Sequence, residues 1–281
     1  MKNIVNRKKC KYRVLQYIAG RSCYLFFGAL LLLGSMQTRA GNINERNGIT
    51  LQSVRIIYPE KERKGVTFEV TNDTQTVYLV QSRIDTWPSE LPDSVDISET
   101  ETTLSSPFIV LPPLERLSGG EKVTLRIRRV RNTLPTDRES VFAFQIKAIP
   151  GQSKSEENHK NLKKGQAHII LALQNTLKLF YRPEGLPVYN ARHIAESLQF
   201  RSRGTQLVVI NPTPFYATFD SLSVGGKAIE DKELFRMVPP LGQQIYALPD
   251  TASFSEVRWQ LLDDYGVPTE LMTRALNNDK Q

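Results

Sequence analysis

The feature that most constrains this chain is residues 167–183, which read AHIILALQNTLKLFYRP. An extended chain sends successive side chains to opposite faces. Ile169, Leu171, Leu173, Leu177, Leu179 and Tyr181 then share one face, and Ile170, Ala172, Lys178, Phe180 and Arg182 share the other. At roughly 3.3 Å per residue such a strand spans about 55 Å, about three times an ordinary strand. It is apolar on both sides until a single lysine interrupts it, and Arg182-Pro183 ends it. A near-continuous apolar run suits a strand covered on both faces.

The 281 residues and formal charge of +8 suggest about two domains and a basic protein. The position of the charge removes the second inference. Residues 1–40 hold eight Lys and Arg and no Asp or Glu. Removing those eight from 37 leaves 29 basic residues against 29 acidic ones. The remainder is formally neutral, which argues against a nucleic-acid partner. Residues 1–40 also have the three parts of a secretory signal: a basic segment, the apolar run YLFFGALLLL, and Thr38-Arg39-Ala40 with small residues at the positions a signal peptidase reads. Cleavage after Ala40 is expected, and with it export to a periplasm. The run is short of the about 20 residues of a membrane span. Cys10 and Cys23 both lie in this leader, so the mature chain has neither a thiol nor a disulfide. Core area must supply its stability.

Beyond the leader the pattern is strand after strand. Residues 49–84 contain the alternating Val66-Thr67-Phe68-Glu69-Val70, a turn at 71–73 and a resumed strand at 77–80. Residues 87–106 are rich in Pro, Ser, Thr, Asp and Glu and read as loop. Residues 108–111 run into Pro112-Pro113, which cannot donate to a ladder. Residues 123–127 and 141–146 are further strands, and 151–165 is a polar loop that cannot offset its ordering entropy. Residues 182–187 mark a boundary. After it, strands are expected at 207–210, 215–222 and, last, 257–262, with a hairpin at Val224-Gly225-Gly226-Lys227 and a loop at 239–242. The fold class is all-β, as two β-sandwiches: a leader of residues 1–40, a first domain of 41–183 and a second of 184–281. No internal repeat stands out.

Catalytic chemistry is sparse. Only His159, His168 and His193 are present, none at metal spacing. There is no G-x-S-x-G elbow, phosphate loop or dinucleotide fingerprint. Asp263-Asp264 could do acid–base work, but neighbours on a strand point opposite ways. No enzyme activity, metal or cofactor is expected.

Six segments, in order along the chain, carry a resemblance: Leu51-Gln52-Ser53-Val54-Arg55, Pro112-Pro113-Leu114-Glu115-Arg116-Leu117, residues 137–144 (DRESVFAF), residues 177–183 (LKLFYRP), residues 211–216 (NPTPFY) and Asp264-Tyr265-Gly266. Together they resemble the periplasmic pilus-assembly chaperones of the chaperone–usher pathway, over nearly all of the chain past the leader. The resemblance implies two immunoglobulin-like sandwiches set at an angle. It also implies donor-strand complementation, in which the chaperone lends its strand to a fimbrial or adhesin subunit that lacks one and delivers the subunit to an outer-membrane usher. The lent side chains would be Ile169, Leu171 and Leu173, with Leu177 continuing the pattern. Arg55, on the first strand, and Lys178, on the last of the first domain, would hold the subunit's C-terminal carboxylate. Glu139, Arg182 and Asp264 would form an ion network fixing the two domains.

The eighteen residues between Pro150 and Ile169 resemble the family's long-loop branch, although the disulfide usual at that loop's base cannot form here. The stripe also implies a liability, since a bare apolar edge invites self-capping as an oligomer when free. The alternative reading is a secreted fibre subunit or adhesin with immunoglobulin-like domains. Such a subunit needs an alternating apolar N-terminal extension, and residues 41–47 are short and polar.

Overall fold

The computed structural model describes residues 48–88, 106–131, 133–151, 171–248 and 256–276. The expected leader, nearly all of the 87–106 and 151–165 loops, and Ile169 lie outside them.

Nine strands build the first sandwich: β1 (Ile49–Leu51), β2 (Arg55–Pro59), β3 (Val66–Asn72), β4 (Tyr78–Thr86), β5 (Phe108–Leu111), β6 (Leu114–Leu117), β7 (Lys122–Arg129), β8 (Ser140–Pro150) and β9 (Leu173–Arg182). They form a four-stranded sheet, β1-β3-β7-β5, and a five-stranded sheet, β2-β9-β8-β4-β6. The alternating residues meet between the sheets, with Phe68, Leu125 and Ile127 from one and Phe144, Ile146 and Leu179 from the other, all buried. Every connection from β1 to β8 crosses between the sheets, and two of these crossings are very short: between β1 and β2, and at Pro112-Pro113 between β5 and β6. Prolines suit the second crossing, because neither can donate to a ladder.

The second sandwich contains α1 (Ala191–Ser197), β10 (Gln199–Arg203), β11 (Gln206–Asn211), β12 (Phe219–Val224), β13 (Lys227–Ala228), α2 (Asp231–Leu234), β14 (Gly242–Ala247), β15 (Glu256–Leu261) and β16 (Met272–Ala275). Its sheets are β10-β11-β14 and β13-β12-β15-β16, closed over Trp259, Tyr246, Leu207 and Val257. The 224–227 hairpin forms as expected, with Gly225 at φ 54° and Gly226 at φ 78°, the left-handed region that glycine enters without a steric penalty.

Several expectations need correcting. The strand at 257–262 is not the last, since β16 pairs with it. The strand expected from 215 starts at Phe219, because Ala217 instead bridges Val238. Two short helices also appear. The first is capped by Asn190, whose side chain accepts the His193 N–H at 3.0 Å. A repeat exists after all, at matching corners of the two sandwiches. Asn72 Nδ2 donates to the carbonyls of Thr76, Leu117 and Ser118 while its Oδ1 accepts from Thr74. Asn211 Nδ2 donates to the carbonyls of Phe215, Val238 and Pro239 while its Oδ1 accepts from Thr213.

The opening stretch is also shorter than its pattern. β9 holds ten residues, not seventeen, because Ala148–Leu173 is the last pair it makes with β8. Leu171 and Ala172 precede it without strand pairing.

Candidate functional site

β9 divides into two halves with different surroundings. Residues 178–181 lie between β8 on one side and β2, running parallel, on the other. Residues 173–177 pair with β8 alone, because the chain arriving from β1 joins the sheet only at Arg55. Among the described residues the second edge of this half is unpaired, so backbone N–H and C=O groups face outward, a template for another strand.

The side chains follow the same division. Leu179 and Tyr181 are buried in the sandwich core, and Leu177, opposite Phe144, packs half-buried against it. Leu173 and Leu171 continue the same face past the end of the core and are 68% and 71% exposed. Beside this edge an open groove of about 810 Å³ runs between Leu51, Val54 and Arg55 on one wall and Asn175 and Leu177 on the other. Asp264 and Tyr265 of the second sandwich close one end.

At the foot of the open edge stand two cations. Arg55 opens β2 and is the direct cross-strand partner of Lys178. It therefore belongs to the second strand and not the first, since the chain changes sheets just before it. Arg55 is 8% exposed; its Nη1 donates to the Leu262 carbonyl at 3.3 Å, and its guanidinium lies 5.8 Å from the Phe180 ring centre. Burial lowers its pKa, against the pull of nearby carboxylates including Asp264. Lys178 is half-buried, with its Nζ 5.2 Å from the centre of the Trp87 ring. Burial, and then the charge of Arg55, push the ammonium down to about 8. Neither cation forms an ion pair among the described residues, whereas Arg182 nearby makes two.

The Arg182 guanidinium is the hub of the third group. Its Nε donates to Glu139 Oε1 at 2.7 Å, and its two terminal nitrogens fork onto Asp264 at 2.7 and 2.5 Å. Glu139, 3% exposed and just ahead of β8, takes the Tyr216 N–H on its other oxygen at 2.8 Å. Its own N–H donates to the Pro214 carbonyl at 2.9 Å. Burial alone would lower the Arg182 pKa, but the hydrogen bonds and charges of Asp264 and Glu139 hold it above its ordinary range. Burial likewise pushes the Glu139 carboxyl up, opposed by Arg182. Asp264 lies in the turn after β15, not on a strand, so the strand argument against its pairing with Asp263 does not apply. Asp263 is spent on that turn, accepting from the Tyr265 and Val267 N–H groups.

Arg55 and Lys178 are thus adjacent, Glu139, Arg182 and Asp264 are bonded to one another, and Leu171 and Leu173 are exposed. Ile169 lies outside the described residues. Sequence reasoning passed over Trp87, which covers Lys178 and stacks on Phe235 of the second sandwich, ring centres 5.1 Å apart. Its place at the head of a polar loop hid it. Among the described residues no group of three or more His, Cys, Asp or Glu could hold a metal ion.

Two β-sandwiches thus carry, among the described residues, one half-paired apolar strand that ends at a pair of cations without a direct ion pair. Comparisons with known proteins identify the class more closely. Residues 48–187 match the family model described as the pili and flagellar-assembly chaperone, PapD N-terminal domain. Residues 193–273 match that of the pili assembly chaperone PapD, C-terminal domain. The chaperone protein FimC of Escherichia coli K12 is 32% identical over 273 residues, 97% of this chain and 98% of FimC. Among solved structures, the Salmonella enterica SafB chaperone in complex with the SafA pilin aligns with a TM-score of 0.66 at 28% identity, covering 83% of this chain and 98% of the other. The periplasmic chaperone SfaE aligns with a TM-score of 0.58 at 31% identity, covering 80% and 98%. The chain belongs to the pili-assembly chaperone family. Membership over both sandwiches displaces the fibre-subunit reading: the protein is an assembly chaperone.

Proposed function

We propose that this protein is a periplasmic, non-enzymatic chaperone that caps fimbrial or adhesin subunits by donor-strand complementation and delivers them to an outer-membrane usher. The observation that carries the mechanism is the change of environment along β9. Its core face is filled from Leu177 onward and bare at Leu171 and Leu173, where the backbone edge is also unpaired. A subunit missing one strand exposes the complementary pair of features: an apolar groove and unpaired backbone. Strand addition satisfies both. Burying the exposed parts of Leu171 and Leu173 would contribute roughly 1–2 kcal/mol each; Ile169, which the sequence pattern adds to the set, lies outside the described residues. Leu177, already packed on the chaperone's own core, stiffens the strand more than it contributes to the wedge.

Arg55 and Lys178 hold the subunit's terminal carboxylate. Two adjacent, partly desolvated cations repel each other, and a carboxylate between them relieves the repulsion while gaining charge-assisted hydrogen bonds of about 1.5–3 kcal/mol each. Fixing the chain end also fixes strand register, which matters because a one-residue slip turns every side chain to the wrong face. The Arg182 network, which spends one guanidinium on both sandwiches, holds them in the orientation that aligns the groove. The expected leader directs export to the periplasm, the compartment named for the similar SfaE. The long-loop assignment rests on residues outside the described set and stays a proposal from sequence.

The test is co-purification. With a subunit co-expressed, Leu171→Asp/Leu173→Asp is expected to fold yet lose the subunit from periplasmic extracts. Undiminished recovery by the folded double variant would argue against a lent strand.

A further inference from the structure

One contact at the anchor remains without a role. Counted along the register, Arg55, Lys178, Ala143 and Asp85 face one another across four strands, β2, β9, β8 and β4. The central position holds only a methyl group, and Ala143 is fully buried. Trp87, just past the end of β4, meets Lys178 with its ring, the Nζ 5.2 Å from the ring centre. The same indole stacks on Phe235, at the end of α2 in the second sandwich, with the rings 27° apart. Among the described residues the other charges near Lys178 are accounted for. Arg55 adjoins it, Asp85 is paired with Arg83 at 3.1 Å, and the second sandwich presents the Phe235 ring.

We propose that Trp87, braced by Phe235, is a positioning residue for the carboxylate anchor. Its ring keeps the Lys178 ammonium dry and in place without neutralising it. A cation leaving water needs compensation. A carboxylate neighbour would provide it, but would also compete with the incoming chain end. The face of an aromatic ring attracts the ammonium through its quadrupole and accepts no directed hydrogen bond from it in the geometry of a salt bridge, so the N–H donors stay available. Partial exclusion of water then strengthens the attraction for the ligand's carboxylate. The depressed pKa of Lys178 accords with such a site. Because Phe235 comes from the second sandwich, a domain that contributes no strand to the lent edge takes part in grasping the subunit's end.

This inference rests on the anchoring role proposed above, and one experiment separates the two. The probes are a synthetic peptide of alternating valine and serine with a free C-terminal carboxylate, and the same peptide as its C-terminal amide. Calorimetric affinities for the full chain give an acid-to-amide ratio that reads the anchor alone, because strand pairing is common to both. In parallel, NMR of the Lys178 side chain reports its titration. The unaltered protein is expected to prefer the acid at least about tenfold. Trp87→Ala is expected to reduce that ratio by about threefold or more and to move the Lys178 titration upward. Phe235→Ala should shift both in the same direction, and Trp87→Phe should restore them. If the unaltered protein prefers neither peptide, the anchor itself is wrong. If it prefers the acid and Trp87→Ala keeps the full ratio and an unmoved Lys178 titration, Trp87 is only a packing residue and the inference falls.

Discussion

Lys178 should be a burden to the free chaperone, and replacing it by methionine should show this. The ammonium titrates at about 8 in the fold against 10.5 ordinarily. At about 1.36 kcal/mol per pKa unit, carrying the charge costs the native state on the order of 3 kcal/mol at neutral pH. Some of this is screened by solvent at a half-buried site, so Lys178→Met, which keeps the stem and removes the charge, should stabilise the free protein by on the order of 1–3 kcal/mol at pH 7. The sign of the pH dependence follows from linkage. The lysine is protonated in both states below pH 8, and the full cost is present. Between about 8 and 10.5 the unfolded chain holds the proton and the native chain releases it, so wild-type stability rises with pH. Above 10.5 neither state is charged and the cost is gone. Urea unfolding of both proteins at pH 7 and pH 11 tests this, since other titrations largely cancel in the difference. A variant no more stable than wild type at pH 7, or a gain undiminished at pH 11, would refute the view that this cation is held at a cost.

Arg182→Ala should act in the opposite direction, destabilising by about 3–5 kcal/mol because it strands Glu139 in a buried site without its partner; thermal unfolding measures it, and a loss under 1 kcal/mol would show that the network contributes little. Leu171→Ala with Leu173→Ala should change urea stability by no more than about 0.5 kcal/mol, since both side chains are exposed in the free protein, while weakening subunit capture at least tenfold. Asn211→Ala should cost about 2–3 kcal/mol by leaving three carbonyls at one corner without their shared donor, and Asn72→Ala should match it within about 1 kcal/mol if the two corners are equivalent. Capture of a subunit should weaken as pH rises through about 8 to 9, where Lys178 loses its proton; a flat affinity profile from pH 7 to 10 would remove the ammonium from the anchor.

The sequence was most legible where burial repeats with a fixed period. Val66 to Val70 and Val123 to Ile127 alternate because one side faces the core, and both segments became strands paired with each other. The pieces that escaped are short or polar. β10 is Gln-Phe-Arg-Ser-Arg on a sheet edge, where solvent takes both charges, and α1 has two turns, too few to establish a helical period. Long-range pairings escaped for another reason. Nothing local to Arg55 says that Lys178 lies beside it, since the parallel pairing joins positions 123 residues apart; only resemblance to a family supplied it. The argument that Asp263 and Asp264 point opposite ways assumed strand geometry for what is a turn, and Trp87 was missed because its contacts include a ring from the other sandwich.

The length of the opening stretch makes physical sense once its two halves are separated. From Leu177 to Tyr181 the pattern is set by a core that exists within this chain, and from Lys178 onward the strand is held on both edges. At Leu171 and Leu173 the same pattern continues with no core beneath it among the described residues. Stability within the chain cannot account for leucines that are two-thirds exposed, because polar residues there would serve the free fold as well and aggregate less. The same reasoning applies to Lys178, which a neutral side chain would improve for folding alone. In the proposed mechanism wedge and anchor are each unfavourable to the isolated chaperone, and one event removes both deficits, the arrival of a subunit with an apolar groove and a terminal carboxylate. On that proposal, placing Lys178 on the same strand as the leucines makes capture selective: a partner offering only the groove leaves the cations unpaired, and one offering only the carboxylate leaves the leucines bare.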